Sequence, residues 1–154
     1  MSGRIYYVPI AETSTSTVAK DLLELTPAAN HPIELLGLYL YQTADATTNE
    51  KVNVGIFRGG ATSGSGGAAV TPVAVNPGDV AASFTAEIHN TTQAGAGTLI
   101  ANESIGFSFP ITRYYPDSMI IECTATENRI VVELTAGPTA AITIGGWAVV
   151  RERG

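Results

Sequence analysis

Short β-branched and aromatic runs, each ended by glycine, proline or asparagine, recur along the whole chain. Apolar residues at the three- and four-residue spacing of an amphipathic helix are almost absent, and runs of this kind are typical of strands joined by tight turns. In a chain of 154 residues without a linker or an internal repeat, the pattern predicts one all-β domain over residues 1–154. The predicted fold is a jelly-roll-like β-sandwich of about eight to ten short antiparallel strands.

The predicted strands are Ile5–Ile10, Val18–Leu25, Ile33–Tyr41, Lys51–Arg58, Val70–Val75, Phe84–His89, Leu99–Ser108, Met119–Thr126, Arg129–Thr135 and Ala141–Arg151. The second and third are expected to pair, because two prolines and an asparagine make the connection between them a turn. The low-complexity segment Gly59–Ala69 is predicted to be a flexible surface loop. Residues Pro77–Ala82 form at most a helical turn.

The alternation around Glu127 and Asn128 predicts a hairpin with these two residues at its tip. Opposed residues then have numbers that sum to 255, so Cys123 lies opposite Val132 on an apolar face. On the other face Glu122 lies opposite Glu133. In the last strand, the pair Gly145-Gly146 before Trp147 predicts a bulge or a corner where the strand bends between the two sheets.

Charge and cysteine content narrow the classes of function. The net charge is −6, and the two lysines and six arginines form no cluster, so direct binding to nucleic acid or to an anionic membrane is not expected. No signal peptide and no transmembrane helix are predicted. Cys123 is the single cysteine, which excludes an intrachain disulfide and fits folding in a reducing cytosol.

The residues that carry chemistry give no strong motif, so no catalytic, cofactor or metal site is predicted. The Gly-rich segment after Arg58 lacks the Lys-Ser/Thr ending of a phosphate-binding loop. His31 and His89 have no second ligand at metal spacing, while a lone calcium site built from loops around Asp45, Asp79 and Asp117 stays open. Glu122 and Glu133 could serve as paired carboxylates of a hydrolase, although a solvated or arginine-bridged pair is favoured.

Aromatic residues supply the candidate interface, which comprises Tyr6, Tyr7, Tyr114, Tyr115 and Asp117. Adjacent tyrosines on a strand point to opposite faces, so one of each strand pair is expected to face outward. Exposed tyrosine is common at protein contacts because it buries a large area with few rotatable bonds. The alternative is that both tyrosine pairs pack at the sandwich ends with wet hydroxyls, and turn chemistry after Pro116 explains Asp117 equally well.

Four stretches carry a resemblance: Ile5–Pro9, Asp21–Asn30, Ile56–Gly59 with its Gly/Ser tail, and Phe84–Ile88. Together with the length, composition and strand order, they resemble small virion structural proteins of tailed bacteriophages that decorate or cement the capsid. The resemblance implies a non-enzymatic protein without a cofactor, made in the host cytoplasm and located on the capsid surface. It also implies a homo-oligomer, often a trimer, that contacts the major capsid protein.

An N-terminal arm over residues 2–8 is expected to join these contacts by pairing with a neighbour's sheet edge. Another virion component, such as a head fibre or tail protein, remains an alternative. A further alternative is a carbohydrate-binding β-sandwich in which Tyr114, Tyr115 and Trp147 stack on sugar rings. The hydrolase with Glu122 and Glu133 is the last alternative.

Overall fold

The computed structural model describes residues 3–43, 50–95 and 97–154. In this part of the chain, twelve strands and two short 3-10 turns at Asp117–Met119 and Ala125–Glu127 make up the regular structure. The strands are β1 Arg4–Ser14, β2 Asp21–Thr26, β3 Ile33–Thr43, β4 Val52–Arg58, β5 Ala68–Val70, β6 Val73–Ala74, β7 Thr85–Asn90, β8 Thr98–Ile105, β9 Ile111–Tyr114, β10 Ile121–Cys123, β11 Ile130–Leu134 and β12 Thr143–Glu152. The prediction of an all-β fold is confirmed.

The strands form two antiparallel sheets. Sheet A has the order β10-β3-β12-β1-β6, with β9 also pairing with β3, and sheet B has the order β5-β7-β2-β11-β4-β8. The chain alternates between the sheets from β1 to β4, and it changes sheet again between β8 and β9, between β10 and β11, and between β11 and β12, while β9 and β10 both pair with β3 of sheet A. This strand order is that of a jelly roll, as the sequence predicts. Strands β5 to β7 are an insertion that extends both sheets on one side.

One continuous apolar core lies between the sheets. It consists of inward-facing residues from both sheets, and each of the following is less than 2% exposed: Val8, Leu40, Ile56, Val132 and Val150. In β4 the residues Val52, Val54 and Ile56 share the buried face, as their alternation predicts. The period-2 pattern therefore assigned the core-facing residues correctly in this strand.

The predicted hairpin with its tip at Glu127 and Asn128 is wrong. Strand β10 pairs with β3 in sheet A, whereas β11 pairs with β2 and β4 in sheet B. The 3-10 turn Ala125–Glu127, closed by a capping box from Thr124 to Glu127, carries the chain from one sheet to the other. Cys123 and Val132 are buried as predicted, because each strand's inward face is the same whichever strand it pairs with.

The expected pairing of the second and third strands is also wrong. Strand β2 lies in sheet B and β3 lies in sheet A, so residues 27–32 cross the end of the sandwich and do not close a hairpin. The predicted N-terminal arm is not free either. Arg4 to Val8 belong to β1, which pairs with β12 on one side and with β6 at Tyr6 and Tyr7 on the other. Residues 1 and 2 lie outside the described residues.

The Gly145-Gly146 pair of β12 lies at a register irregularity, which agrees with the prediction of a bulge. The register between β1 and β12 shifts between Ile10 and Thr13, opposite Gly145 and Gly146. The strand does not bend into the other sheet, since β12 stays in sheet A from end to end. Gly146 has φ +152°, and a Cβ atom there would lie 1.9 Å from the carbonyl oxygen of Tyr39.

Replacing Gly146 by alanine should therefore destabilise the protein by roughly 2–4 kcal/mol, through backbone strain and the clash with β3. Chemical denaturation of the purified variant measures this loss. Gly78→Ala is the matched control, because the nearest atom to a Cβ at Gly78 is 3.7 Å away. Equal stabilities for the two variants would contradict the close approach of β12 and β3.

Candidate functional site

The outer surface of sheet A carries a cluster of aromatic side chains. Register places Trp147 between Tyr39 of β3 and Pro9 of β1, and Val149 between Gly37 and Tyr7. Tyr114 of β9 lies opposite Gly37. We call this surface the aromatic face, formed by Tyr7, Tyr39, Tyr41, Tyr114 and Trp147.

The aromatic face remains open to solvent. The exposed fractions are 70% for Tyr114, 45% for Tyr7 and 36% for Trp147, while Tyr39 and Tyr41 are half-buried. Val73 of β6 extends the apolar surface beyond Tyr7, with which it is paired, and is 56% exposed. Exposed apolar surface that continues over neighbouring strands marks an interaction site more often than scattered apolar residues do.

The rings of the aromatic face support one another. The Tyr39 and Trp147 rings have centroids 4.2 Å apart and planes 33° apart, and the Tyr39 and Tyr41 centroids are 5.6 Å apart. At this spacing the cross-strand pair packs ring against ring. The Tyr41 hydroxyl also donates a hydrogen bond of 3.0 Å to Glu12. The rings are held in place before any partner arrives.

Glycines of the sheet make room for these rings. A Cβ atom at Gly37 would lie 3.0 Å from the Tyr114 ring, and one at Gly145 would lie 2.9 Å from the Tyr41 hydroxyl. The aromatic side chains therefore lie over bare backbone of the neighbouring strand. This arrangement keeps the surface low and continuous at these two positions.

A small ion-pair network borders the aromatic face at one end. Glu34 lies opposite Arg151 in β12 and Glu122 in β10. Arg151 pairs with Glu34, and Arg153 Nη1 lies 3.0 Å from Glu34 Oε1 and 3.5 Å from Glu122 Oε2. The predicted Glu122–Glu133 pair does not form, because the carboxylate opposite Glu122 is Glu34, and Arg153 bridges these two glutamates.

The sequence-predicted interface residues separate into two groups. Tyr7, Tyr114 and Asp117 are exposed, although Asp117 lies beyond the aromatic face in a 3-10 turn. Tyr6 is fully buried, its ring lying edge-on to Phe84 with centroids 5.6 Å apart. Tyr115 packs partly against the core and its hydroxyl is buried. Tyr6 thus offers no contact surface, because it lies on the inward face of β1, and Tyr115, just past the end of β9, is only partly exposed.

The predicted interface omits three members of the aromatic face: Trp147, which was named only as a sugar-stacking residue, and Tyr39 and Tyr41, which were not named at all. The signal that could have found the two tyrosines is the alternation Leu38-Tyr39-Leu40-Tyr41 within a predicted strand, which puts both tyrosines on the face opposite the leucines. Only the strand pairing shows that Tyr39 belongs to an aromatic cluster, since β3 pairs with both β9 and β12 and so brings Tyr114 and Trp147 alongside it.

Loops cover the outer surface of sheet B over β2 and β11, although β8 at the edge of the sheet stays exposed. The predicted flexible loop after Arg58 is anchored across it, because Ser63 Oγ and the Gly64 backbone N–H donate to Glu24 at 2.7 and 2.9 Å. Arg129 Nε lies 3.1 Å from the same carboxylate. The loop around residues 91–95 joins it through two Ser65–Thr92 backbone hydrogen bonds of 3.0 Å. The prediction of a flexible loop is corrected by these contacts.

A buried carboxyl pair lies under these loops. Asp21 of β2 is opposite Glu133 of β11, beside a register irregularity, and Asp21 is fully buried. Its Oδ2 accepts a hydrogen bond of 2.8 Å from the Ala94 backbone N–H, whereas its Oδ1 has no partner. Burial, with the adjacent Glu133 as a further cause, raises the pKa of Asp21 to about 7, and burial also raises the pKa of Glu133.

Glu122 and Glu133 cannot form the predicted pair of facing carboxylates. They belong to different sheets, so they cannot serve as the cross-strand pair of carboxylates on which the hydrolase alternative was based. No three or more His, Cys, Asp and Glu side chains are placed to hold a metal ion within residues 3–43, 50–95 and 97–154. Of the acidic loop residues, Asp45 lies outside these ranges. Burial raises the pKa of the Cys123 thiol to about 12, which keeps it protonated.

Comparison with protein-family models, with curated proteins and with solved structures gave no match. Among the described residues, no helix has the length and apolar character needed to cross a membrane. The outer surfaces of sheets A and B are therefore the basis for proposing a function.

The carboxyl pair predicts a specific pH dependence of stability. Since the pKa of Asp21 is higher in the folded chain than in the unfolded chain, its contribution is complete below pH 4 and is lost as the pH rises through about 7. Asp21→Asn should remove this loss, so the variant should gain on the order of 3 kcal/mol relative to the wild type between pH 5 and pH 8.5.

Thermal unfolding of both proteins across this pH range measures the difference, with the exposed Asp117→Asn as the control carboxylate. A melting-temperature difference between Asp21→Asn and the wild type that stays constant with pH would show that the folded chain holds no such proton.

Proposed function

We propose that this protein is a non-enzymatic structural component of a virus particle that decorates or cements the capsid of a tailed bacteriophage. It binds the major capsid protein and copies of itself, and the aromatic face of sheet A is its docking surface. The observation that carries the proposal is the contrast between the two sheets. Loops cover sheet B over β2 and β11, while Tyr7, Tyr114 and Trp147 are exposed on sheet A beside the half-buried Tyr39 and Tyr41.

The chemistry of the aromatic face favours a protein partner. Tyrosine and tryptophan are enriched at the centres of protein interfaces, where they bury large areas at small entropic cost. The Glu34–Arg151 ion pair at the border offers charged groups at the rim, as in other interfaces with an apolar centre and a polar edge. The preformed ring packing reduces the ordering cost on binding.

A carbohydrate partner fits this surface less well. Sugar rings stack on flat, accessible faces of aromatic rings. Tyr39 and Trp147 cover one face of each other at a centroid distance of 4.2 Å, and Tyr115 points toward the core. Of the three residues named for sugar stacking, only Tyr114 and Trp147 lie on the aromatic face.

The cementing role predicts that virus particles lacking this protein are less stable. Particles produced without its gene should release their genome at a lower temperature, or after a weaker osmotic shock, than complete particles. Mass spectrometry and electron microscopy of purified particles establish whether the protein is present on the head. Absence of the protein from complete, infectious particles would end the proposal.

The docking surface predicts which substitutions prevent attachment. Adding purified Trp147→Ser or Tyr114→Ser protein to particles that lack it should give at least about tenfold weaker binding than the wild type, because each change removes a central aromatic contact. Leu99→Ser on β8 of sheet B, where Leu99 is 47% exposed, is the matched control and should bind normally. Equal loss for all three variants, each shown to be folded, would place the contact elsewhere.

A further inference from the structure

A cavity of about 220 Å³ lies at the edge of the sandwich, away from the aromatic face. It is bordered by the end of β1, by β5 and β7, and by the glycine-rich segment that precedes β5. Its lining comprises Thr13, Lys20, Gly66, Gly67, Ala68, Ile88, His89 and Thr91. The volume suits a small ion with a few waters, because one water occupies about 30 Å³ in the liquid.

Lys20 brings a positive charge to this cavity without an acidic partner. The residue is only 4% exposed, and its Nζ donates a hydrogen bond of 3.0 Å to the carbonyl oxygen of Ser14. None of the ion pairs between described residues includes Lys20. Its neighbour Asp21 points to the outer surface of sheet B and binds Ala94. A buried ammonium group is costly unless it is paired, so an anion in the cavity would be stabilised.

His89 adds a second basic group. It is 5% exposed, and its Nε2 lies 2.8 Å from the carbonyl oxygen of Ala11, which fixes the ring. Its Nδ1 is buried and has no hydrogen-bond partner. Lys20 and His89 both line the cavity, and burial lowers the pKa of His89, with the charge of Lys20 acting in the same direction. If an anion in the cavity favours protonation of the imidazole, Nδ1 would carry the proton and donate a hydrogen bond to the anion.

The backbone that borders the cavity adopts conformations that cost conformational free energy. His89 has φ +56°, a conformation that non-glycine residues adopt rarely and that concentrates at ligand sites. Gly66 has φ +82°, and a Cβ atom at Gly67 would lie 2.3 Å from the carbonyl oxygen of Ile88. These two cavity-lining positions therefore require glycine.

We propose that this cavity binds a small oxyanion, a carboxylate or a phosphate, between the Lys20 ammonium and the His89 imidazole. The site lies apart from the docking surface and does not depend on the proposed function. Ion binding and protonation of His89 are linked, because the anion favours the charged imidazole.

The test is an NMR titration of the two histidine rings of the intact protein. With ionic strength held constant by sodium chloride, acetate or inorganic phosphate should raise the pKa of His89 by about 0.5 or more. His31, which lies outside the cavity lining, is the internal control and should not change. A response to acetate alone assigns the site to carboxylates, and a response to phosphate alone assigns it to phosphates.

Lysine substitutions complete the test, since the chain has only two lysines. Lys20→Met should weaken oxyanion binding at least tenfold, whereas Lys51→Met, which removes the same charge from an exposed position, should leave it unchanged. An equal pKa of His89 in chloride, acetate and phosphate would overturn the proposal. So would undiminished binding by folded Lys20→Met protein. The wild-type titration decides the question by itself if that variant does not fold.

Discussion

The structure depends on burying the inner faces of two sheets against each other. Neither sheet could remain folded alone, because its apolar side would face water. The jelly-roll order meets this constraint by sending consecutive strands to opposite sheets. Each connection that changes sheet, within β1 to β4 or within β8 to β12, adds apolar surface to both sides of the same core. The continuity of the core follows from this crossing.

The two outer surfaces then take different roles. On sheet B the loops before β5 and after β7 lie across β2 and β11, and the buried carboxylates of Glu24 and Asp21 hold them there through backbone N–H groups. Burial of these groups has an electrostatic consequence, since the Asp21–Glu133 pair is left without a counter-charge and retains a proton more readily. In the described part of the chain no loop is anchored across sheet A in this way, and Tyr7, Tyr114 and Trp147 are exposed there. This asymmetry is the physical basis for assigning the docking role to sheet A.

The candidate site was predicted only in part. One tyrosine of each pair was expected to face outward, and Tyr7 and Tyr114 are the ones that do. Tyr6 and Tyr115 were named with them but lie inward, because alternation says that the members of a pair point apart without saying which one meets the core. The glycine-rich loop was predicted to be flexible because its sequence has few side chains that could pack. Its anchors are backbone N–H groups, which no composition reveals.

The sequence by itself determined the all-β class, the jelly-roll-like architecture and most inward-facing residues. These follow from local properties, since a side chain's phase along a strand repeats every two residues whatever the partner strand is. Tertiary structure alone decided which strands pair. Residues 121–134 alternate as a hairpin should, yet β10 and β11 join different sheets, because each gains a better partner from a distant part of the chain. The pairing of Glu122 with Glu34, the carboxyl pair under the loops and the aromatic face all follow from those long-range choices.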